Sequence, residues 1–242
     1  MLDGKRKILV LVEGEKTDVA LMERLLDIYG IDTKYEIIAY RTNIYTLYHE
    51  MFEQNDPEAF SLLQVLKSRE PDETRKTIFD DSYSDVLLIF DLDPQDTQFT
   101  PEKISYMAEY FVESSDMGKL YINYPMVEAF YHMASIPDPN FDSYYATLEE
   151  LKAKQYKSRV NHENRNHDYR KFAASREECN IVIRQNISKT WRIVDKEPAE
   201  GLLPEQINIL TAQLDILLKD KKISVISTCA FFIPDYNPKL IG

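Results

Sequence analysis

Two uninterrupted apolar runs organise the chain. Val86-Leu87-Leu88-Ile89-Phe90 shows no helical spacing, the pattern of a strand buried on both faces in a mostly parallel sheet flanked by helices. Ile8-Leu9-Val10-Leu11-Val12 repeats it near the start. Between them, Leu21, Leu25 and Tyr29 recur beside Met22 and Leu26, which predicts an amphipathic helix over Val19 to Tyr29. Thr17 stands where an N-cap belongs, Asp18 suits the positive end of the helix dipole, and Gly30 is placed to close the helix. Tyr35 to Tyr40 reads as a second strand, so the opening is a strand-helix-strand unit with a right-handed crossover.

Residues 42 to 80 are mostly helical in pattern. One apolar stripe holds Ile44, Leu47, Tyr48, Met51 and Phe52, another Phe60, Leu63, Val65 and Leu66, with Pro57 and Pro71 as breaks. Beyond the central strand, Ile104 to Val112 has helical spacing, Lys119 to Tyr124 alternates as a strand that Pro125 ends, and Met126 to Ala134 reads as a short helix. Pro137-Asp138-Pro139-Asn140 marks a boundary. After it, Tyr144 to Ile187 reads as a pair of charged helices, Pro204 to Leu218 as an amphipathic helix, and Ile223 to Ile226 as a closing strand. The fold class is therefore α/β: a mostly parallel sheet flanked by helices over residues 1–136, with a helical insertion at about 42–80, then a mainly helical region over 137–242.

No run approaches the roughly twenty apolar residues that span a bilayer, and Met1 to Lys7 is too polar for a secretory signal. The expected location is cytoplasmic. Cys179 and Cys229 are isolated, without metal-ligand spacing, and fit reduced thiols. His162 and His167 are five apart in a polar stretch, poor spacing for zinc. No Gly-rich phosphate loop is present.

Candidate chemistry sits where the apolar runs stop. Asp91 and Asp93 follow the central strand, and open α/β sheets bind ligands at that carboxyl edge. Alternation in an extended chain would point both carboxylates the same way, toward one hard cation such as Mg2+. The other reading is that they start a turn or cap a helix. Glu13 likewise ends the first run, and Gly14 permits a tight turn and close backbone approach. Glu128 falls in the first turn of the short helix and either completes a second metal site or satisfies the helix dipole. His132 would lie one turn later on the same face, as a ligand or as a hydrogen-bonded structural residue.

Three segments together, Val12-Glu13-Gly14-Glu15-Lys16-Thr17-Asp18, Ile89-Phe90-Asp91-Leu92-Asp93 and Asn123-Tyr124-Pro125-Met126-Val127-Glu128-Ala129-Phe130-Tyr131-His132, resemble the Toprim domain. The nearest likeness is to the RloB-like and OLD-type Toprim nuclease families, whose motifs read Glu-Gly-x-x-Thr-Glu, Asp-x-Asp and a Ser-Asn-Pro-x-x-Glu-x-Trp-x-x-x-His-like block. The chain departs from that pattern: Asp18 replaces Glu, Tyr124 interrupts the Asn-Pro pair, Phe130 replaces Trp, and the His comes early. The likeness covers roughly the first half.

The resemblance implies a Toprim-like, Mg2+-dependent endonuclease, with Mn2+ as an alternative ion, that hydrolyses phosphodiester bonds of DNA or RNA in anti-phage defence. Glu13, Asp91 and Asp93 would be catalytic metal ligands, Asp18 and Glu128 second-site ligands, and Lys16 a further site residue. An ATPase encoded nearby is an expected partner, and a homo-oligomer stays open. Other readings are a non-catalytic Toprim module within an ATPase-linked complex, or another Asp-x-Asp enzyme. An aspartyl phosphatase would carry Thr where Gln95 stands, and a glycosyltransferase would leave Glu13-Gly14 without a role.

Charge changes the picture in one respect. The formal charge of −12 argues against blanket affinity for nucleic acid, yet Lys152 to Lys196 holds twelve basic against five acidic residues, a net +7 that leaves −19 on the remainder. Tyr156, Tyr169, Phe172 and Trp191 are interleaved with these cations, a mixture that holds a phosphate backbone while stacking bases. Arg170, Lys171, Arg176 and Trp191 are the expected nucleic-acid contacts. The competing reading is an ordinary solvated helix exterior with its aromatics turned inward.

Overall fold

A computed structural model describes residues 7–31, 34–57, 59–115, 117–196 and 202–242; Met1 to Arg6, read above for a signal, lie outside them. Strands β1 (Lys7–Val12), β2 (Lys34–Ala39), β3 (Asp85–Asp91), β4 (Val112–Glu113) and β5 (Gly118–Asn123) form one sheet in the order β2-β1-β3-β5-β4. All neighbours pair parallel except β4, which runs antiparallel to β5. The two apolar runs take the centre. Leu9 to Val12 and Leu88 to Phe90 are sealed from water, as the covering of both faces requires.

Helix α1 (Thr17–Tyr29) follows β1 and closes at Gly30 in the left-handed region, φ 55°, where the absence of a Cβ removes the steric penalty. Thr17 is not its cap. The preceding position is Lys16, which makes no side-chain capping bond, so Thr17 is the first helical residue. The insertion is helical as expected: α2 (Ile44–Tyr48) running into a π turn at His49–Glu53, then α3 (Leu62–Arg69), α4 (Glu73–Lys76) and a 3-10 turn at Thr77–Asp80. Ile44, Leu47, Met51, Val65 and Leu66 are buried, but Phe60 is exposed. Helix α5 (Pro101–Tyr110) begins earlier than its apolar spacing suggests, because Thr100 caps it ahead of Pro101.

The C-terminal region contains α6 (Leu148–Lys152), α7 (Tyr156–Glu163), α8 (Arg176–Val194), α9 (Gln206–Asp220) and α10 (Phe232–Tyr236). It also holds a small antiparallel pair that the helical reading of Tyr144 to Ile187 passes over: β6 (Tyr145–Thr147) with β7 (Lys222–Ser224). The closing strand joins this pair and not the main sheet. Two residues on, Ile226 exchanges backbone hydrogen bonds with Tyr124 at the end of β5, 2.8 and 3.0 Å. One hydrophobic core runs through both regions, from Leu9, Phe90 and Ile122 to Phe141, Ile183, Leu210 and Phe231. Pro137 redirects the chain without interrupting that core. Among the described residues, no helix is long and apolar enough to cross a membrane.

Gly118 opens β5 at φ 110°, and a Cβ there would lie 2.5 Å from Leu88 Cδ1. The Gly118→Ala variant should therefore lose about 1 to 3 kcal/mol in a urea titration, from backbone strain added to overpacking. A change under about 0.5 kcal/mol would show that Leu88 turns aside freely.

Candidate functional site

Register places the site. Val12 pairs with Ile89, and Asp91 pairs with Asn123, so β1, β3 and β5 present their carboxyl ends side by side. The backbone of Glu13 donates to Ile89 O at 3.2 Å, and Asp91 N–H donates to Glu13 Oε2 at 3.2 Å. Asp91 ends its strand with its carboxylate buried, and Asn123 Nδ2 approaches it at 3.4 Å. Asn123 is held in turn by the Ser227 hydroxyl, which donates to Asn123 Oδ1 at 2.9 Å.

Asp93 arrives by a different route from the one strand alternation suggests. The strand ends at Asp91, and Asp93 sits in the left-handed region at φ 42°. Leu92 and Asp93 donate their N–H groups to Pro125 O, Tyr45 OH donates to Leu92 O, and Gln95 Nε2 donates to Asp93 Oδ1 at 2.9 Å. The turn, locked from several sides, delivers the second aspartate. Asp18 comes from the first turn of α1 and accepts the Gly14 N–H. A Cβ on Gly14 would lie 2.6 Å from Asp18 Oδ2, so that close approach needs glycine. Glu128 lies in a 3-10 turn, Val127–Tyr131, not in an α-helix. It is buried, and Lys157 Nζ of α7 pairs with its Oε1 at 2.5 Å.

The electrostatics bind these groups into one cluster. Burial, with the charges of Glu13, Asp18, Asp93 and Glu128, holds the Asp91 carboxyl well above its ordinary range. Glu13 is pushed up to about 9 by burial and then by Asp93, and Asp93 to about 6 by burial, against the lowering bond from Gln95. Asp18 is raised by burial and by Glu128. Asp96, held by Asn43 Nδ2 at 2.9 Å, adds to the repulsion on Glu13 and Asp93.

The sequence-predicted ligands Glu13, Asp18, Asp91, Asp93 and Glu128 thus share one neighbourhood. They supply hard oxygen donors for a divalent ion, though among the described residues no three of them converge as a ready-made cage. Mutual repulsion between carboxylates is what a bound cation would relieve. A groove of about 500 Å³ opens beside them, lined by Glu13, Gly14, Lys16, Asp18, Arg41 and Lys157 among others.

His132 is not part of the cluster. A 3-10 turn has three residues per turn, so the residue four after Glu128 faces elsewhere. Its ring meets the Tyr156 hydroxyl at 3.1 Å and Glu163 Oε2 at 2.8 Å, and burial lowers its pKa. The expected basic and aromatic patch also divides. Phe172 and Tyr156 are fully buried, and Tyr169 stacks on Tyr131 at 4.3 Å, so Arg170, Lys171 and Arg176 do not surround an accessible Phe172. All three cations are exposed; Trp191 is half-buried on α8.

Sequence reading missed Lys157, Asp96 and Asn123. Asp96 extends the carboxylate spacing to Asp91-x-Asp93-x-x-Asp96, and Asn123 is a polar residue ending an apolar strand; both were readable signals. Lys157 carried none. Compared with known proteins, the chain matches no family model, no curated protein and no solved structure.

The raised carboxyls fix the sign of a pH dependence. Each binds its proton more tightly folded than unfolded, so the stability it lends is complete below its ordinary range near 4 and is lost as pH rises through the folded value. Without divalent ions, the thermal midpoint should fall between about pH 5 and 9, spanned by Asp93 near 6 and Glu13 near 9. The Asp91→Asn variant should raise the midpoint at pH 8 and flatten the slope. A midpoint that climbs over this window would mean the cluster is neutralised by other groups.

Proposed function

We propose that the carboxylate cluster holds Mg2+, or Mn2+ in its place, and that the protein is a Toprim-type, RloB-like nuclease that hydrolyses phosphodiester bonds of DNA or RNA. The observation that carries this reading is the gathering of Glu13, Asp91, Asp93, Asp18 and Glu128 from separate elements at the carboxyl edge of a parallel sheet. Five acids with one lysine leave an excess of negative charge that a hard cation compensates. Glu13, Asp91 and Asp93 would hold one ion, Asp18 and Glu128 a second. Bound there, metal ions supply an activated water and stabilise the leaving oxygen.

The protein's own part is orientation. The N–H of Asp91 and the Gln95 amide fix one oxygen each of Glu13 and Asp93, while Asn123 faces Asp91. Lys157 balances Glu128 while the acids stand alone, and its long, partly exposed side chain can turn to a phosphate oxygen in the adjoining groove. Action in cytoplasmic anti-phage defence beside an ATPase belongs to the same proposal through the resemblance. A second reading has one specific support: the Glu128–Lys157 pair already neutralises part of the cluster, as it would in a non-catalytic module.

Incubation with labelled DNA and RNA in Mg2+, Mn2+ or EDTA separates the two. Glu13→Gln, Asp91→Asn and Asp93→Asn should each cut metal-dependent cleavage by about a thousandfold or more, the scale of several kcal/mol of lost transition-state stabilisation. Glu15→Gln should be nearly silent, because that side chain is half-exposed and pairs with Arg41. Parental cleavage by both aspartate variants would sink the nuclease reading.

A further inference from the structure

Arg24 of α1 is held near the site by neutral groups alone. Its Nη1 donates to Tyr169 O at 2.9 Å and its guanidinium lies over the Tyr131 ring at 5.7 Å. Nε and Nη2 are shut off from water and have no hydrogen-bond partner, and the buried Tyr169 hydroxyl has none either. Among the described residues, no carboxylate lies within ion-pair distance of Arg24. A guanidinium removed from water without a counter-ion is costly, and its field is poorly screened.

What lies above it is a groove of about 490 Å³, lined by Lys16, Arg24, His167, Tyr169 and Arg170 among others. One acid, Asp168, lines it too, and is already engaged by Arg170 at 3.1 and 3.3 Å. Arg170 remains almost fully exposed and Lys16 is exposed without an acidic partner among the described residues. This groove shares Lys16 and Thr17 with the one beside the carboxylates. A cationic trough therefore continues directly into the acidic site.

We infer that the trough over Arg24 is a phosphate subsite that seats the backbone of a single nucleic-acid strand and leads it to the carboxylate cluster. Lys16 and Arg170 contact the phosphate, and Arg24 supplies an uncompensated charge beneath it. The inference rests on the nuclease reading for its substrate class, but an anion is called for by Arg24 itself. The volume suits a nucleotide unit of one strand.

The test is anisotropy titration of the whole protein, in EDTA, with a short fluorescent single strand of DNA or RNA at several salt concentrations. Lys16→Gln combined with Arg170→Gln should reduce the salt slope by about 1.4, at roughly 0.7 per lost phosphate contact on a single strand. Arg24→Met should weaken binding about tenfold while the thermal midpoint holds or rises, because an unpaired buried charge is removed. If that variant fails to fold, the surface double variant still decides. Parental affinity and slope in the double variant overturn the subsite, and equal affinity for a blunt duplex overturns the single-strand assignment. Binding is read without metal, so the two proposals fail separately. Lost binding in a protein that never cleaves keeps the subsite and sinks the nuclease; unchanged binding in variants of a protein that cleaves does the reverse.

Discussion

Repulsion among buried carboxylates is the constraint on which this site depends. Parallel pairing brings the ends of β1 and β3 side by side, where Glu13 is burdened by loss of water and by Asp93, and Asp91 by loss of water and by Glu13. Left alone, such a cluster would splay or take up protons. Here its geometry is held by neutral donors: the Asp91 and Gly14 N–H groups, and the Asn123 and Gln95 amides. A neutral donor orients a carboxylate without cancelling its charge. The cluster is therefore fixed in place while its raised carboxyls hold protons, which a bound cation would displace.

The second half of the chain is part of this arrangement. Ser227 donates one hydrogen bond from its hydroxyl to Asn123 and another from its backbone N–H to Asn186 Oδ1 of α8, while Thr228 donates to Ile122 O. Lys157, from α7, brings the ammonium that meets Glu128. The Asp91 environment is thus set partly by residues more than a hundred positions away. Changes in α8 that displace Asn186 act on the carboxylates through this chain of hydrogen bonds, with no contact of their own.

The central sheet was legible because a strand buried on both faces has no freedom in its pattern: every residue from Val86 to Phe90 had to be apolar. The carboxylates were legible for a related reason, since an acid that ends such a run is conspicuous. What lacked a signal was set by tertiary contact. Strands β6 and β7 are three residues each and pair across the intervening helices, too short for any period to appear. Phe172 sits among cations in sequence and inside the core in space. Asp93 reaches the neighbourhood through a turn and not by alternation, because alternation ceases where the strand does.

Net charge illustrates the same gap between sequence and space. The +7 of residues 152 to 196 suggests a basic face, but Lys189 is buried, donating to Phe141 O and Tyr144 O at 2.8 Å, and burial lowers its pKa to about 7. Arg159, Arg165 and Arg192 are paired with Glu150, Glu178 and Asp142, and Lys157 with Glu128. Three of these partners, Glu150, Asp142 and Glu128, come from the acidic remainder and cancel part of the excess. At physiological salt, exposed charges interact over about 8 Å, so a polyanion responds to cations that lack near partners and not to a segment's sum. By that measure Lys16 and Arg24, in the acidic half of the sequence, count beside Lys171 and Arg176, whereas the paired cations of the basic segment do not.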